Sequence, residues 1–112
     1  MSADMTRWSP AQSRRPGCPH RRLRHLLAGA LPPGLSLGAS TFRPWASANF
    51  VGARHIFPCA LADGEAEAVS AAIQNELGAA EWTLPGHVVA DVVVECGKPP
   101  NALQIEILTV EE

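Results

Sequence analysis

The chain of 112 residues is long enough for one domain, and its net charge of −2 hides an uneven distribution of charge. Residues 1–48 hold seven arginines and one acidic residue, a net charge of +6, whereas residues 49–112 hold ten acidic and two basic residues, a net charge of −8. The acidic part would repel a phosphate backbone, so we expect no nucleic acid as its partner. No apolar run approaches the roughly 20 residues of a membrane-spanning helix, so no membrane span is predicted.

Residues 1–48 contain six of the ten prolines, and their apolar residues follow no sustained period of a helix or a strand. This composition predicts a disordered, basic extension rich in proline and arginine. Its best helical stretch, Arg21 to Leu31, is short, has no evident partner, and is stopped by Pro32 and Pro33. Residues 49–112 are therefore predicted to be the only folded domain.

Two other interpretations of this extension stay open. A targeting segment would explain the arginines, the apolar run from Leu26 to Leu37 and the Ala46-Ser47-Ala48 sequence, which is typical of a cleavage site. Cleavage after Ala48 would release a secreted or periplasmic domain in which Cys59 and Cys96 could form a disulfide. A segment translated from upstream of the natural start is the other alternative. Because the three cysteines are odd in number and form no C-x-x-C pair, a reducing, cytoplasmic location is favoured.

The folded half begins with a predicted strand and a predicted helix. Val51 to Leu61 has the apolar content of a strand, and Pro58 within it indicates an edge position or a bulge. Asp63 is a suitable N-cap for a helix over residues 64–77, and Gly78 suits the position after its end. The apolar residues of this helix recur at spacings of three and four, which indicates that one stripe packs on a sheet.

Three further strands complete the predicted fold. A short strand over residues 81–84 is followed by a turn, a strand from His87 to Glu95, a hairpin loop, and a strand from Leu103 to Val110. Two registers of the hairpin are open, and the one that places Val93 opposite Glu106, with a loop over residues 98–101, avoids facing Asp91 with Glu106. The result is an α+β fold, a small, mostly antiparallel sheet with one helix packed on one face.

Alternation along the hairpin divides its residues between two faces. On the first strand, Val88, Ala90, Val92 and Val94 are predicted to face the helix. The apolar residues of the second face, mixed with carboxylates, form the predicted binding surface: Val89, Val93, Leu108 and Val110. Because a domain of this size has a small core, this surface is predicted to bind a second copy of the chain or another protein. Trp82 is a further candidate for binding.

Few residues carry recognisable chemistry. The metal-ligating side chains of the folded half are His55, Cys59, His87 and Cys96. Their spacing matches no structural zinc pattern, since residues 55 and 59 of one strand are about 13 Å apart at ~3.3 Å per residue. No metal site and no cofactor are therefore predicted.

Catalysis has only weak candidates. His87, Asp91 and Glu106 supply the residue types of acid-base chemistry, but no nucleophile motif accompanies them. The leading hypothesis is a non-catalytic domain that acts by association. The alternative is a small enzyme or ligand-binding protein that uses these three residues near Trp82.

Overall fold

The computed structural model describes residues 17–112. Two helices and five strands follow one another in this order: α1 (His20–Ala30), β1 (Leu35–Leu37), β2 (Thr41–Ala46), β3 (Val51–Leu61), α2 (Ala66–Ala79), β4 (His87–Cys96) and β5 (Ala102–Glu111). All strand pairs are antiparallel, so the predicted α+β class with a mostly antiparallel sheet is confirmed.

The inner strands of the sheet are β3 and β5. Strand β4 forms one edge, and β1 and β2 share the other edge, each paired with a different part of β3. Strands β3 and β4 run parallel to each other because each is antiparallel to β5, which lies between them. Helix α2 therefore connects two parallel strands across an inserted third.

Both helices cover the same face of the sheet. Leu23 and Leu27 of α1, together with Ile73 and Leu77 of α2, belong to one buried cluster. Most of the other members of this cluster are odd-numbered residues of β3 and β5, which include Phe57, Ile105 and Ile107. The other face carries no element from residues 17–112, and we call it the open face.

The prediction that residues 1–48 form a disordered extension was wrong for the stretch from His20 to Ala46. The helical stretch does have a partner, because Leu23 and Leu27 are completely buried against the sheet. The two edge strands escaped the sequence analysis because β1 is only three residues long and β2 is exposed along its length. Asn49, the predicted boundary, lies in the turn between β2 and β3, where Ser47 N–H donates to the Phe50 carbonyl at 2.8 Å. Residues 1–16 lie outside the described part.

Strand β3 spans the predicted residues, but it is an inner strand, so the predicted edge position of Pro58 was wrong. The carbonyl of Pro58 accepts from Gly38 N–H at 2.7 Å, at the break between β1 and β2. The N–H and C=O of a strand residue point to the same side, so the N–H that proline lacks would face this break and not β5.

The β4–β5 hairpin confirms the predicted register at its loop end. Val93 lies opposite Glu106, and Gly97 N–H donates to the Ala102 carbonyl at 2.8 Å, which closes a loop over residues 98–101. A β-bulge at Ala90 then shifts the pairing by one residue, so that Val89 lies opposite Thr109 and packs against the core. The prediction that Val89 shares a face with Val93 was therefore wrong, and Val88 takes its place.

Helix α2 starts and ends later than predicted. Glu65 is its N-cap residue, not Asp63, and no side chain caps the helix. The Pro100 carbonyl accepts from Ala66 N–H at 2.7 Å instead, so the β4–β5 loop provides the cap. Gly78 lies inside the helix. The predicted short strand over residues 81–84 is reduced to one bridge between Leu84 and His87.

Candidate functional site

Cross-strand neighbours arrange the open face in three rows, each crossing β2, β3, β5 and β4 in that order. The first row is apolar and consists of Trp45, Gly52, Val110 and Val88. The second row consists of Arg43, Arg54, Leu108 and Asp91. The third row consists of Thr41, Ile56, Glu106 and Val93. Apolar side chains thus occupy a band across the sheet without a covering element from the described residues.

The positive and negative charges of the open face lie towards opposite edges of the sheet. Arg43 and Arg54 lie on β2 and β3, whereas Asp91 and Glu95 lie on the opposite edge strand, β4. Arg54 forms an ion pair with Glu106 across β3 and β5. The face is therefore basic at the β2 edge, acidic at the β4 edge, and apolar or neutralised between them.

Trp45 packs over Gly52 at the end of the apolar row. A Cβ at residue 52 would lie 1.9 Å from the Thr109 carbonyl oxygen and 3.1 Å from the indole Nε1 of Trp45. Only glycine allows both β5 and the indole ring to approach this closely. The Nε1 atom is buried and has no acceptor among the described residues.

The free backbone edge of β4 is blocked by a side chain of α2. Gln74 Nε2 donates to the Val92 carbonyl at 2.8 Å, and Gln74 Oε1 accepts from Val94 N–H at 2.8 Å. The amide of Gln74 therefore satisfies the edge as a neighbouring strand would. The opposite edge is interrupted between β1 and β2 and contains Pro44, so neither edge offers a long regular ladder.

A chain of polar side chains crosses the interface between α1 and the sheet. His20 Nδ1 lies 2.9 Å from His55 Nδ1, and His55 Nε2 lies 2.9 Å from Thr109 Oγ1. At the other end, His20 Nε2 lies 2.9 Å from Ser40 Oγ, which accepts from Arg24 Nη1 at 3.0 Å. We call these five residues the histidine chain. The histidine chain was not predicted, because its members are far apart in the sequence and match no motif.

Both imidazoles of the histidine chain favour the neutral form. Burial, with smaller contributions from the nearby His20 and His87, lowers the pKa of His55 to about 4. Burial also lowers the pKa of His20, with a smaller contribution from Arg24. The His20 ring stacks on Phe57 with centroids 5.2 Å apart and planes 3° apart, which fixes its orientation.

The predicted catalytic residues do not form one site. His87 is buried at the start of β4, on the face covered by the helices, where its Nδ1 donates to the Pro85 carbonyl at 3.2 Å. Asp91 and Glu106 lie on the open face, on the other side of the sheet. The sheet itself therefore separates the imidazole from the two carboxylates.

Trp82 and Asp91 do come together. Both line a cleft of about 300 Å³ between the end of α2 and the bulged part of β4, with Gln74 and Val89 among its other walls. The bulge at Ala90 opens this cleft because it bends the strand where the helix ends. Trp82 is half-buried and packs against the core, so its ring forms the apolar side of the cleft.

The two cysteines of the predicted disulfide are too far apart to form one. Cys59 on β3 and Cys96 on β4 both lie opposite Leu103, on either side of β5. Two strand spacings separate them by roughly 9 to 10 Å, beyond the Cα–Cα limit of about 7 Å for a disulfide. Burial raises the pKa of the Cys59 thiol to about 11, so this thiol is protonated at neutral pH.

The described part of the chain contains no group of metal-ligating side chains that could hold a metal ion. No three or more His, Cys, Asp or Glu side chains converge there on one point. Within residues 17–112, no helix is both long enough and apolar enough to cross a membrane.

Comparison of the chain with protein-family models, with curated proteins and with solved structures found no match.

Proposed function

We propose that the protein is a non-catalytic domain that binds a second copy of itself through the open face. The observation that carries this proposal is the uncovered apolar band that Trp45, Val110 and Val88 form next to Leu108 and Val93. Val88 alone is 44% exposed. Burying such a band stabilises an assembly by about 25 cal/mol for each Å² of apolar surface removed from water.

Face-to-face packing fits this molecule better than edge-to-edge pairing. Gln74 occupies the edge of β4, and the opposite edge is interrupted, so a continuous intermolecular sheet has no suitable strand. Two sheets can instead pack about 10 Å apart with their strands nearly aligned. The open face is then the buried layer between them.

The charges of the open face favour one symmetry. A two-fold axis parallel to the strands lays β2 of one copy over β4 of the other, and the reverse. Arg43 of each copy then meets Asp91 of the other copy, so the basic side covers the acidic side. A two-fold axis across the strands would place Arg43 over Arg43, which electrostatic repulsion disfavours.

Sedimentation equilibrium tests the association itself. We expect a dimer mass for the wild-type chain and a monomer mass for Leu108→Lys, which puts a charge in the centre of the open face. Ala72→Lys, on the exposed side of α2, is the matched control and should remain dimeric. A wild-type chain that stays monomeric at millimolar concentration would overturn the proposal.

Charge reversal tests the symmetry. Arg43→Glu and Asp91→Arg should each weaken self-association by about tenfold, because each creates two like-charge contacts in a symmetric pair. An equimolar mixture of the two variants should associate as the wild type does, because both contacts then join opposite charges. If the mixture is no tighter than the single variants, the symmetry is wrong even where the wild type is dimeric.

A second candidate function is the binding of a small ligand in the cleft beside Trp82. The observation that favours it is that Asp91 and Trp82 both line this cleft. A thermal-shift screen of cationic metabolites would test it, with Asp91→Ala as the comparison. Shifts that are absent, or that are equal in both chains, would remove this candidate.

A further inference from the structure

We propose that the histidine chain is an acid-operated latch, which holds the N-terminal end of α1 on the sheet while both imidazoles are neutral and releases it when they take up protons. Release would uncover the part of the core beneath the start of α1, including Phe57. This inference is independent of self-association, because the histidine chain lies on the face opposite the open face.

The direction of every hydrogen bond in the histidine chain follows from its two ends. The guanidinium of Arg24 can only donate, and the Ala53 carbonyl, which lies 3.3 Å from Thr109 Oγ1, can only accept. Thr109 therefore donates to Ala53 and accepts from His55 Nε2–H. A neutral His55 then accepts at Nδ1, so that His20 donates from its Nδ1–H.

The hydrogen bond between Ser40 and His20 runs in the same direction as the others. A neutral His20 that donates from Nδ1 accepts at Nε2, and the hydroxyl of Ser40 donates to it. Every link thus has one donor and one acceptor when both rings are neutral. A doubly protonated pair would have N–H on both Nδ1 atoms, so two donors and two positive charges would face each other over 2.9 Å.

Among the described residues, the groups around His20 and His55 do not neutralise the positive charges of two protonated imidazoles. The ionisable groups that act on this pair are Arg24 from α1 and His87 from β4, and both are basic. From β2 and β3 the neighbours are the rings of Phe42 and Phe57. In residues 17–112, no carboxylate hydrogen-bonds either imidazole.

The position of the pair explains why α1 is the element that moves. The side-chain hydrogen bonds from α1 to the rest of the structure come from its first five residues, namely from His20, Arg22 and Arg24. Its C-terminal end continues through Pro32 and Pro33 to Gly34, whose φ is +89°. Loss of the histidine contact therefore loosens the N-terminal end of α1, which Arg22 and Arg24 also hold, while the other end stays attached to β1.

Amide hydrogen exchange with site resolution tests the latch. We expect protection in α1 to fall about 30-fold between pH 7.5 and pH 5. Between the ordinary pKa of 6.5 and the folded pKa of about 4 for His55, each unit of pH changes the opening equilibrium by about a factor of ten. The amides of α1 should exchange faster than those of α2 at both pH values, because opening of the latch leaves α2 folded. The matched control is His25→Gln, since His25 is exposed on α1. It should behave as the wild type.

A double variant and a direct titration complete the test. His20→Phe with His55→Leu replaces both partners by apolar groups, so α1 protection should no longer depend on pH. Ring-proton titration of the wild type by NMR needs no variant and should place both histidines below their ordinary pKa. Equal exchange rates in α1 and α2 at pH 5, or ordinary titration of both rings, would overturn the latch.

Discussion

His20 Nδ1 and His55 Nδ1 are 2.9 Å apart, although 35 residues separate them in the sequence. One belongs to α1 and the other to the inner strand β3, so this contact joins the N-terminal third of the described chain to its sheet. A histidine completely removed from solvent is uncommon, and a buried polar group needs partners. Here the partners are another imidazole and the hydroxyl of Thr109.

Burial of His55 makes the stability of the whole domain depend on pH. Because the pKa of His55 is about 4 in the folded protein and 6.5 in the unfolded chain, the unfolded chain binds more protons between these values. Its contribution of about 3 kcal/mol to the free energy of unfolding is fully present above pH 6.5 and is lost as the pH falls to about 4. Urea unfolding at steps of pH measures this slope.

The control for this slope is the double variant His20→Phe with His55→Leu. Its free energy of unfolding should vary less between pH 6.5 and pH 4 than that of the wild type. A wild-type curve that is flat in this range would contradict the burial of an unprotonated His55.

Gly52 and Gly78 form a matched pair of glycine substitutions. Gly52→Ala would bring a methyl group within 1.9 Å of the Thr109 carbonyl oxygen, so β3 and β5 would have to separate. We expect a loss of about 3 kcal/mol or more, as for other severe overpacking. Gly78→Ala meets nothing within 4 Å in α2 and should stabilise the domain by about 0.5–1 kcal/mol. Thermal unfolding followed by circular dichroism compares the two, and similar melting temperatures would contradict the close approach at Gly52.

Removal of the Gln74 amide should expose the edge of β4. Gln74→Leu keeps the size of the side chain but leaves the Val92 carbonyl and Val94 N–H without their partner. We expect faster aggregation, measured by thioflavin fluorescence at 37 °C, because an unprotected edge strand pairs with other chains. Asn75→Ala, at the exposed neighbouring position, is the control and should aggregate at the wild-type rate.

The sequence predicted the second half of the fold well and the first half poorly, for physical reasons. The alternation of apolar and polar residues left two registers for the hairpin. The repulsion between Asp91 and Glu106 then selected the register that the structure shows at the loop end. The bulge at Ala90 has no local signal, since alanine fits either face, and it moved Val89 to the covered side. The stretch from Arg21 to Leu31 was recognised as helical, but only the tertiary structure supplies the surface that its Leu23 and Leu27 cover.

The candidate site was predictable in part for the same reasons. Val93, Leu108 and Val110 were assigned to the open face from their period of two, and the structure places them there. The histidine chain was not predictable, because neither His20 nor His55 belongs to a motif. The one sequence signal that could have indicated a buried imidazole is the position of His55 among the apolar residues of a strand.

The accessibility of the three thiols should differ sharply. Cys18 and Cys96 are exposed, whereas Cys59 is buried and burial raises its pKa to about 11. Native protein should therefore react quickly with a thiol reagent at two cysteines and slowly at Cys59, because the thiolate is the reactive form. Mass spectrometry of labelled peptides distinguishes them, and a peptide that joins Cys59 to Cys96 by a disulfide would contradict the strand order.

Cleavage after Ala48 gives the most direct test of whether the domain needs its first half. A chain of residues 49–112 lacks α1, β1 and β2, so the core loses Leu23 and Leu27, and Phe57 loses its cover. Complete burial of one leucine contributes about 1.5–3 kcal/mol, so two leucines match a large part of the 5–15 kcal/mol that stabilises a typical domain.

We therefore expect residues 49–112 alone to lack a cooperative thermal transition and to bind a hydrophobic dye, whereas residues 17–112 unfold cooperatively. Circular dichroism and dye fluorescence of the two chains measure this difference. A cooperative transition in residues 49–112 would show that the shorter unit folds by itself. The interpretation of residues 1–48 as a cleaved targeting segment would then regain support, since cleavage after Ala48 would leave a stable product.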